Sequence, residues 1–145
     1  MDFQLKDKVA FITGGSRGIG RAMALMLADH GANIVICGRT KESLDQTVQD
    51  LKAKGVKAWG FQTDVSSMED VERFVSDAIK AAGQVDILVN NAVTSTSAPF
   101  DQLTDDEFRY HIDVKLMAYI RIARLVLPHM ERQGSGRIVN VGGMT

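Results

Sequence analysis

Apolar positions along the chain alternate between two rhythms. Residues 8–13 (KVAFIT) form a short unbroken apolar run that ends in GGSRGIG, which reads as a buried strand feeding a tight glycine turn. Ile19, Ala22, Met23, Met26 and Leu27 then recur at helical spacing, and Gly31 supplies a stop. The pair repeats with a strand over 33–37 (NIVIC) and a helix capped by Thr40. Its face is Leu44, Thr47, Val48 and Leu51, and it closes at Gly55. Residues 57–63 read as a third strand. Ser66 and Glu69 have capping-box spacing ahead of a stripe of Val71, Phe74, Val75, Ala78 and Ile79. A fourth strand covers 85–89. Thr104 and Glu107 make a second capping box for a long helix running to about Arg132, and 137–141 is a fifth strand.

The strands are continuous apolar runs, so both faces of the sheet should be covered. That pattern, with a helix between successive strands, predicts a parallel α/β sheet with helices on each side and right-handed crossovers. At 145 residues, without repeats or low-complexity linkers, the chain fits one domain. Seventeen Lys and Arg balance eighteen Asp and Glu, which argues against nucleic-acid or anionic-membrane partners. One Cys excludes an internal disulfide framework, and three scattered His with that Cys offer no zinc spacing. No apolar run approaches the ~18 residues of a membrane helix. The opening MDFQLKDK lacks the apolar core of a signal peptide, so a reducing, cytoplasmic setting is expected.

Chemistry first enters at the glycine turn. Gly14, Gly18 and Gly20 lie directly after a strand and open a helix. Glycines here let the chain turn tightly and let a phosphate approach the backbone. The helix N-terminus presents free N–H groups and a partial positive charge to that phosphate. The spacing is G-x-x-x-G-x-G, and no G-K-[ST] follows, which excludes a P-loop.

These residues resemble the short-chain dehydrogenase/reductase family. TGGSRGIG at 13–20 looks like its cofactor motif, and Asp64-Val65 like its adenine-contacting pair. NNA at 90–92 looks like its NNAG motif, and GRIVNV at 136–141 like its fifth strand. The resemblance runs through all 145 residues in order. It implies a Rossmann-like doubly wound sheet of order 3-2-1-4-5 and a single dinucleotide-binding domain, incomplete on its C-terminal side. The cofactor residues it implies are Gly14, Ser16, Arg17, Gly18, Ile19, Gly20, Arg39, Asp64, Val65, Asn91 and Ala92. It further implies hydride transfer between nicotinamide and a carbonyl or alcohol substrate, and a homo-oligomer.

The second strand bears on which nicotinamide. NAD-preferring dinucleotide folds place an acid near its end, on the ribose 2′-OH. Here the region reads CGRT, with Gly38 and Arg39 and no acid. An Arg fork suits a 2′-phosphate, and Arg17 would add a second cation, so NADP is expected over NAD.

The catalytic apparatus departs from the family. Its Tyr-x-x-x-Lys pair belongs beyond Thr145. Gly143 stands where the family has Ser, and Lys115 where it has Asn. No catalytic residue is therefore carried over, and the 145 residues alone are expected to be inactive. The competing reading is a nucleotide-binding module that lost its chemistry and works as a sensor or scaffold. Lys115 also interrupts a stripe of Ile112, Tyr119, Ile122, Ala123 and Val126, so it either snorkels to an edge or points into the cleft. Thr94, Ser95, Thr96 and Ser97 put four hydroxyls in the loop after the fourth strand, near the ligand end of such a sheet. Cys37, Trp59 and the methionines read as core. Asp105, Asp106 and Glu107 suit the first turn of a helix and need no catalytic role.

Overall fold

The computed structural model describes residues 1–94 and 98–143. Five strands, β1 (Val9–Thr13), β2 (Asn33–Gly38), β3 (Ala58–Gln62), β4 (Ile87–Asn90) and β5 (Arg137–Asn140), form one sheet of order β3-β2-β1-β4-β5. Every pairing is parallel. The helices between them are α1 (Gly18–Asp29), α2 (Lys41–Lys52), α3 (Met68–Ala82), α4 (Asp105–Ile112) and α5 (Ala118–Gln133). This is the doubly wound arrangement the alternating rhythm predicts.

The unbroken apolar runs have a direct cause. On β1, Val9 and Phe11 face a core built with α3 and α5, whereas Ala10 and Ile12 face a second core built with α1 and α2. Both faces are dry, so no polar alternation appears. That expectation holds for the central strands and fails at the edges. β3 alternates in burial, and every residue of β5 is exposed. An edge strand has one neighbour and lies partly beyond the helix layer.

Three local expectations are corrected. The buried face of α1 is Gly20, Ala24 and Ala28, while Ile19 and Met26 are exposed. Small residues let this helix approach the sheet closely, and the bulkier apolar residues flank the contact. The cap of α3 is Ser67, whose Oγ accepts from the Asp70 N–H, one residue beyond the expected Ser66–Glu69 pair. The long helix is not uniform: a π-helical turn (Asp113–Met117) separates α4 from α5. Its extra residue rotates one half against the other. Val114, Ala118, Ile122, Val126 and Met130 are therefore buried, and Ile112 is not. The Thr104–Glu107 capping box forms as read, with each side chain bonding the other residue's backbone N–H.

Candidate functional site

The C-terminal ends of β1, β2 and β4 open onto a cleft of about 320 Å³. Its wall includes Gly14, Ser16, Arg17, Gly18, Ile19, Arg39, Asp64, Val65, Asn91 and Ala92. Ten of the eleven residues singled out from sequence thus share one surface. The eleventh, Gly20, lies just behind it. A Cβ there would sit 2.2 Å from the Gly14 carbonyl oxygen and 2.5 Å from Asn91 Nδ2, so glycine lets α1 start against the turn.

The turn is held from β4. Thr13 Oγ1 accepts the backbone N–H groups of both Asn91 (2.9 Å) and Ala92 (3.0 Å). Asn91 Nδ2 in return donates to the carbonyls of Thr13 (3.2 Å) and Gly14 (3.3 Å). Gly14 adopts φ +63°, a left-handed conformation that glycine takes without strain, and it starts the reversal into α1. Gly15 is a requirement the sequence reading missed: a Cβ there would meet Ile36 Cγ2 at 2.4 Å. At the other end of the turn, no side chain caps α1, and no acid sits in its first turn. The N–H groups and positive dipole end of α1 therefore remain available to an anion.

The β2 side supplies the cations. Arg39 Nη1 donates to Tyr110 Oη at 2.9 Å, and Arg17 Nη2 donates to Thr40 Oγ1 at 2.8 Å. Five ion pairs form among the described residues, and neither Arg17 nor Arg39 belongs to one. Gly38 ends β2 where an acid would serve a free ribose, and a Cβ there would stand 2.9 Å from Ser16 Oγ. Beside it, past the end of β3, Asp64 Oδ1 accepts from the Ser66 N–H (3.0 Å) and Ser66 Oγ (2.7 Å). The Asp64 N–H donates to Asp70, and that bond is the main reason the Asp70 carboxyl titrates below the usual range. This small network fixes the Asp64-Val65 corner.

Cys37 is core, as read, and also floors the cleft. Burial pushes its thiol up to about 12, against smaller opposing effects of hydrogen bonds involving Gly14 and Thr63. Tyr110 and Val114 complete the wall from α4 and the π turn, and sequence reading singled out neither. Their shared signal is spacing: four residues apart on a helix puts both on one face.

Lys115 follows Val114 but does not itself line the cleft; its ammonium is part-buried beside it, on Tyr119, whose Oη lies 3.5 Å from the carbonyl of the cleft residue Ala92. Nζ donates to Tyr119 Oη at 3.0 Å and to the Val141 carbonyl at 3.4 Å. Tyr119 Oη donates to that same carbonyl at 3.0 Å. The cation lies 5.2 Å from the centroid of the Tyr119 ring. A carbonyl just past the end of edge strand β5 has captured it. Of the loop hydroxyls, Thr94 Oγ1 pairs with His111 Nδ1 at 2.7 Å, and Ser95, Thr96 and Ser97 lie outside the described residues. A Cβ on Gly143 would meet nothing within 4 Å, so packing does not demand glycine there.

Comparison with known proteins agrees with this geometry. The short chain dehydrogenase family model matches residues 8–145. The chain is 36% identical over 141 residues to the uncharacterized oxidoreductase YvrD of Bacillus subtilis strain 168, covering 97% of this chain and 53% of that protein. L-sorbose reductase from Gluconobacter frateurii, solved with NADPH and L-sorbose, superposes with a TM-score of 0.91 at 37% identity, over 95% of this chain and 53% of that one. An NAD+-bound xylitol dehydrogenase superposes at 0.87 with 30% identity, over 93% and 52%. The chain thus spans about half the length of these relatives. With its matching strand order, glycine turn and cleft, the chain belongs to the short-chain dehydrogenase family.

Proposed function

We propose that this chain is the cofactor-binding part of an NADP-dependent oxidoreductase that interconverts a carbonyl and an alcohol. The observation that carries the cofactor choice is the pair of arginines at the β2 side of the cleft. Both are tethered by neutral hydroxyls and neither meets a carboxylate. A guanidinium with its charge uncompensated suits a 2′-phosphate, and no acid at the end of β2 awaits a free 2′-OH.

The residues fit such a dinucleotide. Gly14 and Gly18 leave the backbone bare at the mouth of α1, where the pyrophosphate would lie against its N–H groups. Val65, Ala92 and Val114 offer an apolar slot for the base, and Asp64 sits at its rim. Arg39 and Arg17 would take the 2′-phosphate. When bound, the nicotinamide supplies or accepts the hydride, and this chain's own part is to bind and orient it. Relatives supply precedent for both nicotinamides, one solved with NADPH and one with NAD+.

The test is a calorimetric titration of the intact protein with NADPH and NADH. NADPH should bind more tightly, and Arg39→Asp should reverse the order. Each lost charge-assisted hydrogen bond should cost about 1.5–3 kcal/mol. Equal affinities in the unmutated protein would sink the reading. The competing reading, a binding module without chemistry, draws on two positions: Lys115 and Gly143 stand where the family has Asn and Ser. Turnover of NADPH with a carbonyl substrate by the intact protein separates the two.

A further inference from the structure

We propose that Tyr110 is a specificity-determining residue of the cofactor cleft, holding the Arg39 guanidinium in place for a 2′-phosphate. The inference rests on the NADP reading above and goes beyond it, because Tyr110 itself would touch no phosphate.

Arg39 follows β2, and Tyr110 comes from α4, 71 positions later. Both line the cleft, and a 2.9 Å bond joins them. Arg39 is anchored at its other end too, since Gln62 Nε2 donates to its carbonyl at 2.9 Å. The Tyr110 ring is half-buried against the core cluster that contains Val65 and Val114, so its hydroxyl is a fixed point on a packed body. An exposed arginine side chain otherwise samples many rotamers. Ordering it on binding weakens affinity by about 2- to 10-fold, and a bond already formed in the free protein removes much of that loss.

The chemistry of the tether matters as much as its position. A guanidinium has five N–H donors in a planar fork, and Tyr110 takes one, leaving the others for a doubly charged anion. A carboxylate at the same place would neutralise the cation and repel the phosphate. A phenol orients the side chain and leaves its charge intact. Arg17 is held on the same principle, by the hydroxyl of Thr40 at 2.8 Å.

The experiment is a double-mutant cycle on the intact protein, read by calorimetric binding of NADPH and NADH. Tyr110→Phe removes only the hydroxyl. It should weaken NADPH by about fivefold and leave NADH within about twofold. In an Arg39→Ala background the same substitution should change NADPH affinity by less than about twofold, because nothing is left to orient. A loss of equal size for both cofactors, or one that persists without Arg39, would mean the hydroxyl merely supports the fold and would overturn the proposal. So would undiminished NADPH affinity in Tyr110→Phe when the unmutated protein prefers NADPH, a result that leaves the cofactor reading standing. An unmutated protein without that preference takes down both.

Discussion

Cys37 shows how one residue serves both core and site. Its side chain is fully buried in the core, and it floors the cleft beside Gly38. With the thiol near 12, the reactive thiolate is absent at neutral pH. Iodoacetamide at pH 8 should therefore leave the folded protein unmodified and label it fully in denaturant, and rapid labelling of the native protein would contradict the burial. The linkage has a definite sign. The folded thiol holds its proton above the 9.0 of an ordinary thiol, so its contribution to stability is intact below pH 9 and is lost between about 9 and 12. Glycine is equally exacting at this scale. Gly20→Ala would force a methyl onto the Gly14 carbonyl and Asn91, which should cost about 1–3 kcal/mol in a denaturant melt and weaken dinucleotide binding with it. Most of the site was legible at the level of single residues, since ten sequence-chosen positions line the cleft. Tyr110 was not, because its spacing from Val114 puts the two on one helix face but does not encode that this face meets the cleft. Gly15 escaped for a similar reason: its constraint is Ile36, on a different strand.

Among the elements, the strand order and the helix sequence were open to reading, and the helix faces only partly so. The α2 and α3 stripes appear as the spacing predicts, with Leu44, Thr47 and Leu51 buried on one and Val71, Phe74, Val75 and Ala78 on the other. α1 misled because its sheet-facing side is all small residues, which carry little hydrophobic signal. The π turn was invisible, since inserting one residue leaves the apolar composition unchanged and only rotates the stripe. The capping box of α4 was fully readable and yields a prediction. Thr104 N–H and Oγ1 both bond Glu107, at 2.7 and 3.0 Å, and hold its carboxyl below the usual range. That stabilisation is present above the ordinary carboxylate value and disappears as pH falls through the lower folded value. Thr104→Ala should destabilise the protein by about 1 kcal/mol at pH 7 in a thermal melt. The difference from the unmutated protein should shrink as pH falls through that window, and a difference that stays constant into acid would refute the role given to Glu107.

For the molecule as a whole, half of the exposed large apolar residues among the described residues lie on the helix that leads to β5 or on β5 itself. Along the helix that leads to β5, Ile112, Leu116, Ile120 and Leu127 are exposed, at intervals of four, four and seven. On β5 itself Ile138 and Val139 are 37% and 49% exposed. The opposite edge differs, since β3 exposes polar or small residues and carries only partly covered aromatics packed on the core. β5 also has a free backbone edge, and its segment 138–141 carries no charge or proline to discourage pairing. On this flank, exposed apolar surface beside an unpaired strand edge favours contact with another chain. Covering it at about 25 cal/mol/Å² would contribute several kcal/mol, a sizeable part of the ~5–15 kcal/mol that holds a domain together. Residues 1–145 produced alone should therefore self-associate through this flank. Sedimentation velocity should show an average mass that rises with concentration. Placing charge on the flank, as in Ile120→Glu with Val139→Lys, should shift the population towards monomer, because burying either charge unpaired is costly. Both positions are exposed, so these substitutions leave the core untouched. A monodisperse monomer across the concentration range, or association indifferent to the two charges, would show that this flank does not drive assembly.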